Sequence, residues 1–306
     1  SSRGMTTWEL PLGSGRVKPD IVAYGHAVQG SGIGGGCKTL SGTSVASPVV
    51  AGAVALLASA VPEAKRAQIL NPASMKQALL AGARELSNAN IFEQGAGKLD
   101  LIDSFEFLTS YTPRVTFFPS TLDLTDCPYM WPYCTQPLFH GAQPTIFNVT
   151  ILNGMGSSGV IVGSPTWIPA LQGDFLEVSF THSEYLWPWS GWLGLHLRVS
   201  PKGARWQGVA QGMVEVTIQS PPVPPETSPR SQTIRLPVKV NVAPTPARTR
   251  RILWDQFHNL RYPSAYLPRD ALHLKQEPFD WNGDHPYTNF RDFYNHLRSA
   301  GFFVDI

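Results

Sequence analysis

Charge is what this sequence has least of. Charged residues make up 15% of its 306 positions, and 24 Lys and Arg against 22 Asp and Glu leave a net charge of +2. So sparse and balanced a charge gives no footing for nucleic acid and no pull toward an acidic partner. Cysteine is scarce too, at three residues, with no Cys-x-x-Cys pair and no histidine cluster, which excludes a structural zinc site. No apolar leader opens the chain, because residues 1–10 are polar and mixed. Val45 to Val61 is the longest apolar run, and Ser, Pro and Gly interrupt it, so it reads as a buried helix rather than a membrane span. Gly and Pro, by contrast, are plentiful at 27 each, and 42% of residues are apolar. That profile fits a β-rich, loop-rich protein outside the cytosol, with two or three separate cores.

The hydrophobic period divides the chain. Residues 1–110 read as the end of an α/β domain. Lys18 to Ala23 is expected to form a short strand entering a glycine-rich loop, Gly30 to Gly36, that delivers the chain to Ser44. Val49 to Ala60 is apolar on nearly every side, so that helix needs cover all round. Asn71-Pro72 opens a second helix running to about Leu86, and Asp100 caps a third. Residues 113–243 change to period two. Leu176/Val178/Phe180, Leu193/Leu195/Leu197/Val199, Val214/Val216/Ile218 and Ile234 through Val242 alternate with polar residues, which predicts an antiparallel β-sandwich. His196 and Arg198 fall on its outer face. Leu186-Trp187-Pro188-Trp189-Ser190-Gly191-Trp192 is an aromatic cluster suited to a domain junction or to a protein-contact surface. Residues 244–251 read as a linker whose Arg248-Thr249-Arg250-Arg251 is a solvated run or a dibasic processing site. In 252–306, two strands around a helix (Ile252 to Trp254, Thr288 to Ala300, Phe302 to Ile306) make one β-α-β unit, too little to cover both faces of a parallel sheet, so the unit is expected to be cut short.

Cys127 and Cys134 bracket Pro-Tyr-Met-Trp-Pro-Tyr, a spacing that can close a disulfide loop. Cys37 is left over, a buried free thiol or the partner of a cysteine outside this chain. The sequon Asn148-Val149-Thr150 lies in a strand whose Phe147, Val149 and Ile151 share one face, which directs Asn148 the other way, toward solvent and a glycan.

The most informative string is Gly42-Thr43-Ser44-Val45-Ala46-Ser47-Pro48, with an apolar helix behind it. Gly42 and Thr43 turn the chain so that the Ser44 hydroxyl sits at a helix N-terminus. There the Ser44 N–H and the helix dipole can face an oxyanion. Small Ala46 permits close approach beneath a substrate, and Pro48 is expected in the first turn, where a missing N–H costs little. An ordinary capped core helix is the alternative. The α/β-hydrolase elbow is excluded, since it needs glycine where Ala46 stands.

This string resembles the nucleophile motif of the subtilisin/kexin-like serine proteases. Ser1 to Pro11, Lys18 to Val22, Cys127 to Cys134, Leu186 to Gly191, Leu253 to Pro263 and Asp280 to His285 are similar to a membrane-held Golgi branch of that family, along essentially the whole chain. The resemblance implies that residues 1–110 are the C-terminal part of a subtilisin-like catalytic domain and that Ser44 is its nucleophile. It implies a Golgi or endoplasmic reticulum setting on the luminal side, an anchor beyond Ile306, possible calcium dependence, and protein substrates: membrane-tethered transcription factors and proproteins, cut after an Arg-x-hydrophobic-Leu or Lys pattern. No cofactor is expected within this chain itself. The family's triad runs Asp, His, Ser, and neither an Asp-Ser/Thr-Gly nor a His-Gly-Thr motif is present. His26 lacks the flanking pattern, and His140-Gly141-Ala142 follows the serine, in the wrong order. The chain alone is therefore expected to be inactive. A catalytically silent β-sandwich interaction module is the competing reading, and a structural adhesion protein the third, which leaves the serine motif unexplained.

Overall fold

A computed structural model describes residues 3–4, 15–255, 287 and 290–305. The first unit begins with a hairpin, β1 (Val28–Ser31) against β2 (Cys37–Leu40), and continues through five helices: α1 (Thr43–Ala60), α2 (Glu63–Ile69), α3 (Pro72–Gly82), α4 (Ile91–Gln94) and α5 (Leu101–Thr109). The segment expected as a strand, Lys18 to Ala23, makes only an isolated bridge, Val22 to Lys98. Gly34, Gly35 and Gly36 form the hairpin tip with positive φ, so the glycine-rich stretch is a turn between strands. Local chemistry starts the helices. The Asn71 side chain accepts from the Ser74 N–H at 2.8 Å while the Ser74 hydroxyl takes up the Asn71 N–H, and Asp100 accepts from Ile102 and Asp103. Leu57, Val61, Ile69, Met75, Ala78, Leu79, Leu108 and Tyr111 gather into this unit's core. Within α1, Ala53 and Leu57 are buried while Leu56 is 59% exposed, because a single side of the helix meets the described residues.

The second unit is a sandwich of two four-stranded sheets. Its strands are β3 (Val115–Phe118), β4 (Leu122–Asp123), β5 (Thr145–Asn153), β6 (Val160–Pro169), β7 (Leu176–His182), β8 (Ser190–Val199), β9 (Gly208–Ser220) and β10 (Arg230–Val242). The orders are β3-β5-β8-β7 and β4-β10-β9-β6, and the alternating residues read from the sequence line the interface. All pairings are antiparallel except the short edge β4, which runs parallel to β10. There Lys239 reaches the Asp123 carboxylate at 2.9 Å, and the Leu124 N–H donates to the Lys239 carbonyl.

The third unit pairs β11 (Arg251–Leu253) in parallel with β12 (Phe303–Asp305) through α6 (Arg291–Ser299), a β-α-β arrangement. The run before it is not a free linker. Thr245 is tied to the carbonyls of Ala204 and His140, a 3-10 turn occupies Arg248–Arg250, and Arg251 belongs to a paired strand. A paired, half-buried Arg251 does not offer the extended exposed chain that dibasic processing needs.

Two junctions join the units. Gln77 of α3 is 2% exposed; its amide N–H groups donate to the carbonyls of Arg114, at 2.9 Å, and of Leu152, at 3.0 Å, while its carbonyl accepts from the Tyr111 hydroxyl at 2.7 Å. Gly154 is required beside it, since a Cβ there would overlap that hydroxyl. The second junction is the loop closed by the disulfide Cys127–Cys134. Tyr129 accepts from the Ile91 N–H and donates its hydroxyl to the Gly95 carbonyl, in the first unit. Tyr133 stacks on Phe147 of β5, with centroids 4.7 Å apart. Beyond Cys134, the Thr135 hydroxyl bonds Tyr294, the Gln136 amide pairs with both the N–H and the C=O of Val304, and Arg291 lies 4.1 Å over the Trp131 ring.

Gln77→Leu removes three buried hydrogen bonds, although the Arg114 carbonyl keeps the Gly154 N–H, and is expected to cost roughly 2–4 kcal/mol by urea unfolding. A second prediction concerns acid. Burial alone would raise the Asp123 carboxyl, but hydrogen bonds from Thr125 and Lys239 outweigh it and hold the group below its ordinary value. The folded state thus binds this proton less tightly than the unfolded chain does. The stability it lends is complete above the unfolded value of 3.8 and is lost as pH falls through the lower folded value. Asp123→Asn is therefore expected to flatten the decline of unfolding free energy between about pH 5 and pH 2.

Candidate functional site

Ser44 is the second residue of α1 and is exposed. Gly42, the residue before the helix, sits at φ 149° and ψ 165°, a conformation that only glycine adopts at ease. Its carbonyl accepts from the Val45 N–H at 3.0 Å and the Ala46 N–H at 3.2 Å. Those two donors are consumed by the helix start, and the Ser44 N–H stands ahead of them at the positive end of the helix dipole. Close packing fixes the turn from below. A Cβ on Gly25 would stand 2.9 Å from both the Ala46 Cβ and the Gly42 carbonyl oxygen, so both small residues are needed for the approach. Pro48 is not in the first turn. It is the sixth residue of α1, so its missing N–H is the one that would have bonded the Ser44 carbonyl.

Gly42, Thr43 and Ser44 are thus one continuous feature, and the arrangement can present a hydroxyl beside a backbone donor. Among the described residues, it does not bring a base to that hydroxyl. His26 bonds Ser41, with Nδ1 3.3 Å from the Ser41 Oγ. His140 lies in the sandwich, with Nδ1 2.9 Å from the Val199 carbonyl. Asp20 is engaged by Lys18 at 2.6 Å and Lys76 at 3.4 Å, and burial lowers the Lys76 ammonium's affinity for its proton. Asp100 and Asp103 both face Arg84. Among the described residues, no group of three or more His, Cys, Asp or Glu converges on a point where a metal ion could sit. The Ser41–His26 contact had no signal in spacing or motif; only the turn brings the two together.

The other expected sites fall differently. Cys127 and Cys134 form the disulfide, with Cα atoms 5.6 Å apart. Cys37 is free and exposed on the β hairpin, not buried, because nothing described covers that two-stranded sheet. Asn148 is 5% exposed rather than solvent-facing. It lies mid-sheet between β3 and β8, opposite Gly194, where Ile146, Thr150 and the cross-strand Trp192 and His196 crowd the same face. His196 is half-buried and shares a contact with Thr181 at 3.2 Å. The aromatic cluster divides: Leu186 enters the sandwich core, while Trp187 is 70% exposed.

Comparison with known proteins agrees with this layout. Residues 1–97 match the profile of the subtilase family, residues 118–245 that of the MBTPS1 third Ig-like domain, and residues 246–306 that of the MBTPS1 fourth GATase-like domain. The chain is 58% identical over 310 residues to the human membrane-bound transcription factor site-1 protease, covering 100% of this chain and 29% of that relative. It is 56% identical over 306 residues to the subtilisin-like protease SBT6.1 of Arabidopsis thaliana, covering 100% of this chain and 30% of the relative. The chain therefore spans under a third of the length of these curated relatives. A solved structure of the patellamide maturation protease PatA is 34% identical over 29% of this chain and 33% of its own, with a TM-score of 0.26, too slight a likeness to carry any argument.

A buried Asn148 leaves no path for a glycan in the folded sheet. Endoglycosidase treatment of the secreted chain is expected to leave its mobility unchanged, and Asn148→Gln is expected to migrate with the unsubstituted protein.

Proposed function

Because this chain belongs to the subtilase family, in the branch of the site-1 proteases, we propose that it is the nucleophile-bearing part of a serine endopeptidase, with Ser44 as the attacking residue. The observation that carries the reading is the Gly42–Pro48 turn, which sets Ser44 at the start of α1 beside an unspent backbone donor. The Ser44 Oγ attacks the scissile carbonyl, and a bond forms between that oxygen and the carbonyl carbon. A histidine from outside residues 1–306 takes the hydroxyl proton and returns it to the departing amine, and an aspartate, likewise from outside, orients that histidine. The Ser44 N–H steadies the oxyanion. Water then releases the acyl group and restores the serine.

The name of the human relative points to membrane-bound transcription factors as the substrate class, and the sequence resemblance extends the proposal to proproteins and to a membrane-held luminal setting in the Golgi or endoplasmic reticulum. Calcium, if the intact protease uses it, is held by residues other than those described. The sandwich and the β-α-β unit following the protease segment serve as its supports. Support for this comes from Gln77 and the disulfide loop, which bind both to the segment carrying Ser44.

The exposed apolar side of α1 and the lack of a base beside Ser44 also favour a narrower reading for the 306-residue chain in isolation, that of an inert module. Fluorophosphonate labelling separates the two. The complete protein carrying this chain is expected to label, and Ser44→Ala to abolish labelling. The isolated chain is expected to stay dark. A complete, folded protein that fails to label beside a working serine protease removes Ser44 from its assigned role.

A further inference from the structure

The turn from Gly25 to Ala27 lies directly against the residues that precede Ser44, and three hydrogen bonds join them. The Gly42 N–H donates to the Gly25 carbonyl at 2.7 Å, the Ala27 N–H donates to the Ser41 Oγ at 2.8 Å, and that Oγ stands 3.3 Å from His26 Nδ1. Ala27 has φ 51°, and no other non-glycine residue described before the sandwich has a positive φ. A left-handed alanine is strained by its Cβ, so something must hold it. Its own N–H is what Ser41 captures.

Resting on the reading that Ser44 is the nucleophile, we infer that Ser41 and His26 are positioning residues for the nucleophile turn: Ser41 locks the Gly25–Ala27 turn to the helix start, and His26 orients the Ser41 hydroxyl. A serine hydroxyl carries one proton and accepts others through its lone pairs. Since the Ser41 Oγ already accepts from Ala27, its proton is free to point at Nδ1 of a neutral His26 protonated on Nε2. The histidine thereby turns a lone pair of Oγ toward the Ala27 N–H and fixes the rotamer of Ser41. Gly42 follows Ser41 directly and receives a second tether from the same turn, so the backbone leading into Ser44 is held at two consecutive residues. Neither Ser41 nor His26 touches a reacting atom. Their effect reaches the chemistry through the placement of the Ser44 Oγ and N–H, where a displacement of about 1 Å is enough to lose about a hundredfold in rate.

The test is steady-state cleavage of a peptide substrate by the complete protein carrying this chain, with thermal unfolding of every variant. Ser41→Ala is expected to lower kcat about tenfold, within the range that sub-ångström misplacement produces, while KM moves less than about twofold. Ser41→Thr, which keeps the hydroxyl, is expected to restore most of the rate. His26→Ala is expected to give a smaller, several-fold loss of kcat, and His26→Asn, whose amide oxygen can replace Nδ1 as acceptor, to recover it. Adding His26→Ala to Ser41→Ala is expected to cost nothing further, because both act through one bond. Unchanged kcat in a folded Ser41→Ala, a change confined to KM, or fully additive losses would each overturn the inference. Should Ser41→Ala fail to fold, the His26 pair decides: wild-type kcat in a folded His26→Ala sinks it. Ser44→Ala keeps the two readings apart, since activity surviving that change refutes the nucleophile assignment, whereas a dead Ser44→Ala beside a fully active Ser41→Ala refutes only this inference.

Discussion

The loop from Cys127 to Gln136 is the constraint on which the assembly leans. It is ten residues long, and each of the three units presses on it from a different side. Closing its Cys127–Cys134 segment by a disulfide removes chain freedom that the unfolded state would otherwise keep. Burial accounts for how firmly its aromatic side chains are held. The Tyr129 hydroxyl is pushed up to about 12 by burial and then by the charges of Glu85 and Asp126, and Tyr133 is raised by burial alone. Neither phenol gains by ionising there, and the Tyr129 hydroxyl stays a donor to the Gly95 carbonyl. Gln77 is the counterpart on the far face of the first unit. A single amide spends both its donors on the chain entering and forming the sandwich while its acceptor is held by Tyr111 of its own unit, so loosening any one contact exposes the others.

The turn from Gly42 to Ser44 rests on a different principle. Almost nothing in it is side chain. Gly42, Gly25 and Ala46 matter for what they lack, and the bonds that define the turn run between backbone groups, with Ser41 as the exception. A site built this way is set by the path of the chain, and it tolerates little substitution even where no charge or ring is at stake. The helix behind it is apolar yet open along most of its surface, with Val49 and Leu56 outward.

What could be read from residues alone was whatever is decided locally. Asn71-Pro72 and Asp100 announced helices because a cap and its first turn are neighbours in sequence. The sandwich strands announced themselves through period two, and β11, α6 and β12 through the same alternation of patterns. The Asn90–Glu93 capping box that opens α4 is a signal of the same local kind. Other features were fixed by partners far along the chain. Asn148 was expected outside because its own strand says so, and it is inside because Gly194 faces it and Trp192 and His196 flank it. Gln77 looks like any polar helix residue until Arg114 and Leu152 are beside it. Pro48 was misplaced by one turn because the helix starts at Thr43, five residues earlier. The turn into α1 at Gly42–Ser44 was legible because its residues are constrained by their own backbone path; the Ser41–His26 contact, fifteen residues apart in sequence, was not.

The Gln136 amide does more than attach a loop. By giving one donor and one acceptor to Val304, it imitates a residue of a neighbouring strand along the side of β12 that faces away from β11. A sheet edge satisfied in this way cannot recruit another strand, whether from its own chain or from a second molecule. The small parallel sheet is thereby given a direction. It has one closed margin, set by a side chain from another unit, and any widening must proceed outward from β11.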